Sequence, residues 1–321
     1  MIVLTGSAGF IGSCVLSKLN QEGIYDILLV DKFNNPLKNE NFKDKKYFDK
    51  IDRNLFIPSF DKQFKDISLV IHLGARTDTT EFDKNIFDEL NLNYSKQLWN
   101  KCAKYNIPFI YASSAATYGN GELGYKDDDN IISKLKPLNP YGESKNEFDK
   151  WVLQQTTKPP YWYGLKFFNV YGPNEYHKAR MASVIFHAYN QIKNGNNLKL
   201  FRSHKPEFKD GQQLRDFIYV KDICSVIYFL LNHKQNSGIY NLGTGKAQSF
   251  NDLALAVYDS MQISPSIEFI DIPLDIREKY QYFTQADMAK LINIGYNNQF
   301  YNLNSGIKDY IQNYLTEHKY L

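Results

Sequence analysis

A tyrosine and a lysine four positions apart are the first residues in this sequence that could do chemistry together. Tyr141 and Lys145 lie in the stretch NPYGESKNEF, and on a helix this spacing places both side chains on one face. Pro140 suits the first helical position, because its missing N–H is one of the donors that a helix leaves unpaired there. A phenol normally has a pKa of about 10, which a neighbouring ammonium lowers. The pair could therefore move a proton, although the same spacing also occurs on ordinary amphipathic helices.

Two serines precede this helix at the end of a predicted strand. The stretch YASSAATYG (111–119) places Ser113 and Ser114 at the carboxyl end of a strand, which is the edge where open α/β sheets bind ligands. Either hydroxyl could hydrogen-bond a substrate oxygen, and one of the two could instead cap the turn. A serine, Tyr141 and Lys145 around a nicotinamide ring would form a hydride-transfer site in which the tyrosine moves a proton.

A glycine-rich turn indicates where a dinucleotide would bind. Gly6, Gly9 and Gly12 follow a predicted strand at 2–5 and open a predicted helix at 10–23. In that setting the first glycine permits the tight turn, the second lets a pyrophosphate approach, and the third lets the helix pack on the strand. The free N–H groups at the start of the helix favour phosphate. The turn therefore predicts a dinucleotide site.

The residues after the second predicted strand bear on which dinucleotide binds. Asp31 ends that strand, about 20 residues beyond the last glycine, and fits the acid that binds a ribose hydroxyl. Lys32 and Lys38 could hold a 2′-phosphate, or they could be solvated surface charges. Because the aspartate favours NAD and the lysines favour NADP, the residues leave both cofactors open.

Composition excludes several classes of protein. The chain has 321 residues, 43% hydrophobic content and a net charge of +3 without a single-sign stripe, so we expect no nucleic-acid partner. No apolar run reaches the ~20 residues of a membrane span, and the start of the chain lacks the pattern of a signal peptide. The three cysteines are far apart and suit buried thiols in a reducing compartment. We expect a soluble cytoplasmic protein without a metal site.

Short apolar runs alternate with helical patterns along the first half of the chain. Strands are predicted at 26–31, 69–75 and 107–114, with a long helix at 86–106 and a weak strand at 55–58. This alternation predicts an α/β fold, namely a Rossmann-type doubly wound parallel sheet with a smaller α/β substrate-binding lobe. We expect the dinucleotide-binding domain over 1–170, with segments returning after 215, and mainly the substrate lobe over 171–321.

Together these motifs resemble the extended short-chain dehydrogenases/reductases, many of which act on nucleotide sugars. Longer stretches resemble one group within this family, the ADP-L-glycero-D-manno-heptose 6-epimerases. The stretches that carry this resemblance are residues 111–119, 168–187, 214–222, 237–250 and 283–288. The resemblance implies oxidation of C6″ of an ADP-heptose to a ketone and return of hydride to the other face, for lipopolysaccharide core heptose. It also implies a tightly bound, recycled NADP, with NAD as the alternative, and a homo-oligomer that would be a pentamer by family analogy.

Roles for further residues follow from this resemblance alone. Lys178 matches a second catalytic base opposite Tyr141, with Lys145 and Ser114 completing the catalytic set. The implied cofactor contacts, besides the glycine turn and the residues around Asp31, are Phe10, Ile11, Leu73, Gly74, Ala75, Asn91, Lys145, Val170 and Lys178. The implied substrate contacts are Ser114, Asn169, Arg180, His187, Phe201, Arg202, Ser203, His204, Arg215 and Tyr280.

The sequence departs from the family pattern at a few positions. The segment 202–215 is longer than expected, Arg180 stands where a small residue is expected, and Leu73 stands where an acid would be familiar. Two other functions remain open: a 4-epimerase or dehydratase of another nucleotide sugar, and a non-catalytic protein that senses a dinucleotide. The stretch ASSAATYG lacks the acidic pair of a dehydratase, and the presence of both Tyr141 and Lys145 disfavours a non-catalytic protein.

Overall fold

A parallel sheet forms the centre of the protein, as predicted. The computed structural model describes residues 1–195, 197–277 and 280–321. The strands are β1 Ile2–Thr5, β2 Ile27–Asp31, β3 Asp49–Asp52, β4 Leu69–His72, β5 Phe109–Ser114, β6 Trp162–Phe167, β7 Asn169–Tyr171, β8 Leu198–Phe201, β9 Leu214–Tyr219, β10 Gly238–Leu242, β11 Ala247–Ser249 and β12 Ile267–Ile270. Seven of them pair in parallel in the order β10-β6-β5-β4-β1-β2-β3. The order reverses beside β1, and such a switch point opens a ligand crevice.

Helices cover the sheet and join its strands. The α-helices are α1 Phe10–Gln21, α2 Arg53–Gln63, α3 Lys84–Phe87, α4 Tyr94–Lys104, α5 Asp129–Ile132, α6 Pro140–Gln154, α7 Val184–Lys193, α8 Val220–His233, α9 Phe250–Met261, α10 Leu274–Arg277, α11 Ala289–Asn293 and α12 Leu303–Tyr310. Helix α1 packs on α8, and α2 packs on α4. Strands β1, β2, β4 and β6 are buried along their whole length, which agrees with a sheet covered on both faces.

Two smaller sheets lie outside the central one. Strand β9 pairs with β7 and β11, and β8 pairs with β12. Strand β10, from the later part of the chain, returns to the edge of the central sheet beside β6. The three cysteines are buried free thiols, as predicted. Across the residues that the structure describes, no helix is both long and apolar enough to cross a membrane.

The predicted strand at 55–58 is wrong. These residues belong to α2, and the strand of this region is β3, whose charged residues Asp49–Asp52 gave no apolar signal. Phe56 and Phe60 are buried four positions apart on one face of α2, which is the helical period that the short pattern concealed. Pro58 misled the prediction, because proline usually ends a helix, yet here it lies inside one.

Pro58→Ala tests the cost of this proline. Proline in a helix interior costs about 3 kcal/mol, because it removes an N–H donor and crowds the preceding turn. Proline also restricts the unfolded chain, and this effect offsets about 0.4–1 kcal/mol of that cost. We therefore expect Pro58→Ala to raise the free energy of unfolding by about 1 kcal/mol or more, measured by urea denaturation. A lower free energy of unfolding would contradict the assignment of Pro58 to a continuous helix.

Candidate active site

The glycine turn brings the end of β1 and the start of α1 into very close contact. Gly6 has a φ of +66°, and a Cβ added to it would lie 2.6 Å from the backbone nitrogen of Gly74. A Cβ on Gly12 would overlap the carbonyl oxygen of Gly6. Only glycine fits at these two positions. The first turn of α1, which follows Gly6, begins with N–H groups that a helix leaves unpaired and that favour an anion.

Buried polar side chains hold the segment after β4 against this turn. His72, at the end of β4, shares hydrogen bonds with Thr5 at 2.6 Å and Ser95 at 2.9 Å. Burial lowers the pKa of His72 to about 3, so the ring is neutral. The Thr5 hydroxyl also accepts the N–H of Gly74 at 3.2 Å. Asn91 accepts the N–H of Arg76 at 2.7 Å and donates to its carbonyl at 3.0 Å. Asn91 therefore positions this segment from outside the cleft.

A cleft of about 380 Å³ opens between these segments, and it is called the dinucleotide cleft below. Most of the predicted cofactor residues line it, namely Gly6, Gly9, Phe10, Ile11, Gly12, Asp31, Lys38, Leu73, Gly74, Ala75 and Lys178. Four predicted cofactor residues, Lys32, Asn91, Lys145 and Val170, are not among its lining residues.

Asp31 is buried at the end of β2 with both carboxylate oxygens engaged. One oxygen accepts the N–H of Ala8 at 3.0 Å, and the other accepts the N–H of Lys32 at 2.7 Å. The ammonium of Lys38 lies 3.3 Å from the second oxygen. The aspartate thus fixes the glycine turn, and Lys38 offsets its negative charge.

Sequence reasoning missed several residues of the dinucleotide cleft, of which Arg53 is the most informative. Arg53 begins α2, and its Nε is buried without a hydrogen-bond partner in the part of the chain that the structure describes. A buried donor of this kind costs free energy until a ligand satisfies it. Asn35, Arg76, Tyr94 and His177 also line the cleft. None of them carried a local sequence signal.

Lys178 reaches the cleft from the segment Tyr176–Met181. Its ammonium lies 5.4 Å from the centre of the Phe10 ring. Burial lowers the pKa of Lys178, and the buried carboxylate of Glu175 acts in the opposite direction. Glu175 accepts two hydrogen bonds from Ser183, at 2.5 and 2.7 Å, and so anchors the segment. His177 shares a hydrogen bond of 3.2 Å with Asn41. A lysine that acts as a base needs a pKa lowered by burial or by a nearby cation, and here burial is the largest cause.

Tyr141 and Lys145 lie in the first turns of α6, with Pro140 at the helix start as predicted. Burial raises the pKa of Tyr141, and its hydrogen bond with Ser114 lowers it in part. Burial also lowers the pKa of Lys145 to about 8. The Lys145 ammonium donates to the Ala112 carbonyl at 2.8 Å. The expected lowering of the tyrosine pKa by Lys145 is therefore wrong for this structure, in which burial dominates.

The structure separates the two candidate serines. Ser113 is buried and donates to Asp149 at 2.6 Å, so its hydroxyl belongs to the interior. Ser114 faces Tyr141 and also caps the short helix Ala115–Tyr118, since its hydroxyl accepts the N–H of Ala116 at 3.1 Å. Ser114 thus combines the two expected roles, since it caps the turn and faces the site.

A second cleft, of about 680 Å³, contains cationic and aromatic side chains. It is lined by Asn120, Gly121, Tyr125, His204, Lys205, Phe208, Arg277, Tyr280, Gln281, Tyr282 and Phe283. Gln281 donates to the carbonyl of Gly119, which directly follows the short helix that Ser114 caps. One wall of the second cleft is therefore joined to the end of that short helix.

Three other predicted substrate residues contact residues that line this cleft. The Phe201 ring contacts Tyr280 edge-on at 5.8 Å. The Arg215 guanidinium lies 5.3 Å from the Tyr280 ring, and burial lowers its pKa. Ser203 accepts the N–H of Lys205 at 3.1 Å.

The remaining predicted substrate residues line neither cleft. Arg202 pairs with Asp271 at 3.0 Å. Arg180 is exposed and pairs with Asp78, at 3.3 Å, on the wall of the dinucleotide cleft. His187 on α7 and Asn169 on β7 line neither cleft.

The fold and the glycine turn define a dinucleotide-dependent class of enzyme. A sequence model described as the NAD dependent epimerase/dehydratase family matches residues 2–243, and the chain belongs to this family. The close backbone approach at Gly12 and the unpaired Arg53 donor fit a nicotinamide dinucleotide, which is the cofactor of this class.

Full-length relatives narrow the class to the ADP-L-glycero-D-manno-heptose-6-epimerases. A protein of that name from Fusobacterium nucleatum is 51% identical and covers 99% of this chain and 98% of its own. Another from Nitratidesulfovibrio vulgaris is 46% identical, with 98% of each covered. The crystal structure of the Helicobacter pylori enzyme of that name has a TM-score of 0.80 at 28% identity and covers 97% of this chain and 95% of its own. The chain therefore belongs with these isomerases, and the resemblance read from its motifs is confirmed.

Gly12→Ala tests the close contact beneath the dinucleotide cleft. The added methyl group would meet the backbone of Gly6, which cannot move aside as a side chain could. We expect the free energy of unfolding to fall by about 1–3 kcal/mol and dinucleotide binding to weaken, measured by urea denaturation and calorimetry. Gly74→Ala is the matched control, because its nearest contacts would be 3.2 Å away and its effect should be smaller. Equal losses in both variants would contradict the argument.

Proposed function

We propose that this protein converts ADP-D-glycero-D-manno-heptose to ADP-L-glycero-D-manno-heptose by inversion at C6″. The observation that carries the proposal is Lys178, a second amine, half-buried in the wall of the dinucleotide cleft. A simple dehydrogenase needs one proton-transfer group, whereas inversion is served by one on each face of the reacting carbon. The names of the full-length relatives supply the substrate and the position of the inverted carbon. The product would supply heptose for the lipopolysaccharide core.

The proposed mechanism divides proton transfer between Tyr141 and Lys178. A bound nicotinamide dinucleotide supplies the hydride acceptor and donor. Tyr141, hydrogen-bonded to Ser114, exchanges the hydroxyl proton on one face of C6″. The ketone turns between the two hydride transfers, so that its other face meets the nicotinamide. Lys178 exchanges the proton in this other orientation, because its lowered pKa favours a neutral amine that can accept a proton. Since the ketone is reduced before release, the cofactor is recycled and stays bound.

We assign the second cleft to the nucleotide part of the substrate. Tyr280 and Tyr282 offer ring faces, and Arg277 and Lys205 offer cations, which suit a base and a diphosphate. Arg215 supports this wall from behind through its contact with Tyr280. Asn169, Arg180 and His187 remain proposed contacts of the sugar end. We further propose that the protein acts in the cytoplasm as a homo-oligomer.

The charges around Asp31 favour NADP over NAD. Both oxygens of Asp31 already accept hydrogen bonds from backbone N–H groups, and Lys38 offsets the charge of the carboxylate. Arg53 adds a further cation whose buried Nε has no partner in the described structure. A guanidinium and an ammonium at one cleft suit a dianionic 2′-phosphate. The dinucleotide released on denaturing the purified protein, identified by mass spectrometry, should be NADP.

Tyr141→Phe and Lys178→Met test the two-sided mechanism. Each variant removes one proton-transfer group, and such groups contribute about 10²–10⁴-fold to rate. We expect turnover of ADP-D-glycero-D-manno-heptose, followed by NMR of the C6″ epimer without added cofactor, to fall by that range in each variant. Cofactor binding and the thermal unfolding midpoint should stay close to those of the unmodified protein.

Several results of that assay would decide against the proposal. Full activity in Lys178→Met would eliminate the second base. Turnover only of a UDP-hexose would indicate a 4-epimerase, and binding of cofactor without any turnover would indicate a sensing protein.

Arg53→Met tests the preference for NADP. Loss of a charge-assisted hydrogen bond costs about 1.5–3 kcal/mol, so affinity for NADP should fall about 10–100-fold, measured by calorimetry. Affinity for NAD should change little, because NAD lacks the phosphate. Lys32→Met is the matched control, since Lys32 is exposed and outside the cleft. Equal losses for NADP and NAD in Arg53→Met would contradict the assignment.

A further inference from the structure

A lysine and an aspartate form an ion pair with no solvent exposure beneath the candidate active site. The Lys166 ammonium on β6 lies 2.7 Å from the Asp149 carboxylate on α6, and both side chains are 0% exposed. Burying two charges costs several kcal/mol per ion, and an apolar pair of similar volume often gives equal or greater stability. Stability alone therefore does not explain why this pair is charged.

The carboxylate of Asp149 is held by donors from two strands. Besides Lys166, it accepts a hydrogen bond from Ser113 at 2.6 Å and one from Tyr111 at 3.0 Å, both on β5. These contacts fix the carboxylate at one place in the interior. Its charge therefore acts at a fixed distance on any titratable neighbour.

The neighbour that matters is Lys145, one helical turn before Asp149 on α6. Burial lowers the pKa of Lys145 to about 8, and the Asp149 carboxylate opposes that effect. His72 approaches from β4, where the Lys145 charge lowers its pKa, but it is neutral because of its own burial. Tyr141 on α6, Tyr111 on β5 and Lys166 on β6 are further titratable groups on the elements around Lys145. Helix α6 also carries Glu143, Glu147 and Lys150, and β6 carries Tyr163.

Lys166, the cation of the ion pair, also contacts the short helix that Ser114 caps. Lys166 donates to the hydroxyl of Thr117 at 2.7 Å, and that hydroxyl donates to the Ser114 carbonyl at 2.8 Å. The same ammonium lies 5.1 Å from the ring centre of Tyr118. Lys166 thereby holds the short helix that Ser114 begins, and with it the residue that hydrogen-bonds Tyr141.

We propose that Asp149 and Lys166 are positioning residues of the active site: Asp149 keeps Lys145 protonated, and Lys166 fixes Ser114 against Tyr141. Neither residue lines either cleft, so both act through others. The inference rests on the proposed function of Tyr141 and Lys145, to which it adds the source of their arrangement. It also explains the buried charges, since an apolar pair would fill the space without acting on Lys145.

Opposite substitutions at the two ends of the pair test this inference. In Asp149→Asn, Lys145 loses the negative charge that opposes deprotonation, so its pKa should fall by about one unit or more. In Lys166→Met, Asp149 loses its counter-ion and acts more strongly on Lys145, so the pKa should rise or stay unchanged. Both are measured by NMR titration of ¹³Cε-labelled lysine, with the Lys145 signal assigned by its absence in Lys145→Arg. A purely structural role would not produce shifts of this sign.

Turnover gives a second readout. Lys145 acts as an ammonium ion, so its contribution is present below its pKa and is lost as the pH rises through it. In Asp149→Asn that loss should begin about one pH unit lower, leaving kcat about tenfold lower above both pKa values, with KM within about threefold of the unmodified protein. Asp149→Glu, which keeps the charge, should restore the original profile.

The double variant Lys166→Met/Asp149→Asn guards against misfolding of the single variants, because it leaves no unpaired buried charge. It should show the same lowered Lys145 pKa as Asp149→Asn, whereas an unchanged Lys145 titration in the folded double variant would overturn the proposal. The titration requires no turnover. Failure of the proposed function would instead appear as an unmodified protein that does not convert ADP-heptose while its Lys145 responds normally to Asp149.

Discussion

Two segments of backbone meet at the carboxyl edge of the sheet, and the dinucleotide cleft depends on that contact. Gly6 and Gly74 approach so closely that neither the turn after β1 nor the segment after β4 has room for a side chain at the Gly6 position. Gly12 brings α1 against the same turn. A hydrogen bond between Thr5 on β1 and His72 on β4 stabilises this contact from beneath. Part of the cleft wall is therefore backbone, placed by strand order, and side chains such as Arg53 and Lys178 complete it.

Burial, more than charge pairing, sets the protonation of the reactive groups. It lowers the pKa of Lys145 and Lys178 and raises that of Tyr141. The Lys145 ammonium donates to the Ala112 carbonyl, and the buried carboxylate of Glu175 opposes the lowering of the Lys178 pKa. The fold thus supplies desolvation as a general effect and uses single carboxylates to adjust it at each lysine.

Sequence could predict the parts of the molecule whose signals are local. The glycine turn, the buried strands and the helix start at Pro140 depend on residues close together in the chain, and all three are confirmed. Arg53 had no such signal, because it reaches the cleft only through the pairing of the charged strand β3 with β2. The choice between the serines depended on strand alternation. Ser113 shares a face with Tyr111, toward Asp149, and that pattern was available in the sequence.

Within the proposed reaction, the two faces of the substrate meet proton-transfer groups whose pKa values are shifted in opposite directions. The raised pKa of the phenol keeps it protonated, whereas the lowered pKa of the half-buried amine increases the neutral fraction that can accept a proton. Tyr141 is therefore present in the form that donates a proton, and Lys178 is more often present in the form that accepts one. Conversion in the opposite sense requires Tyr141 to accept the proton, so its phenol must first be ionised, which its burial disfavours. Desolvation by the protein therefore favours the direction in which Lys178 accepts a proton and Tyr141 donates one.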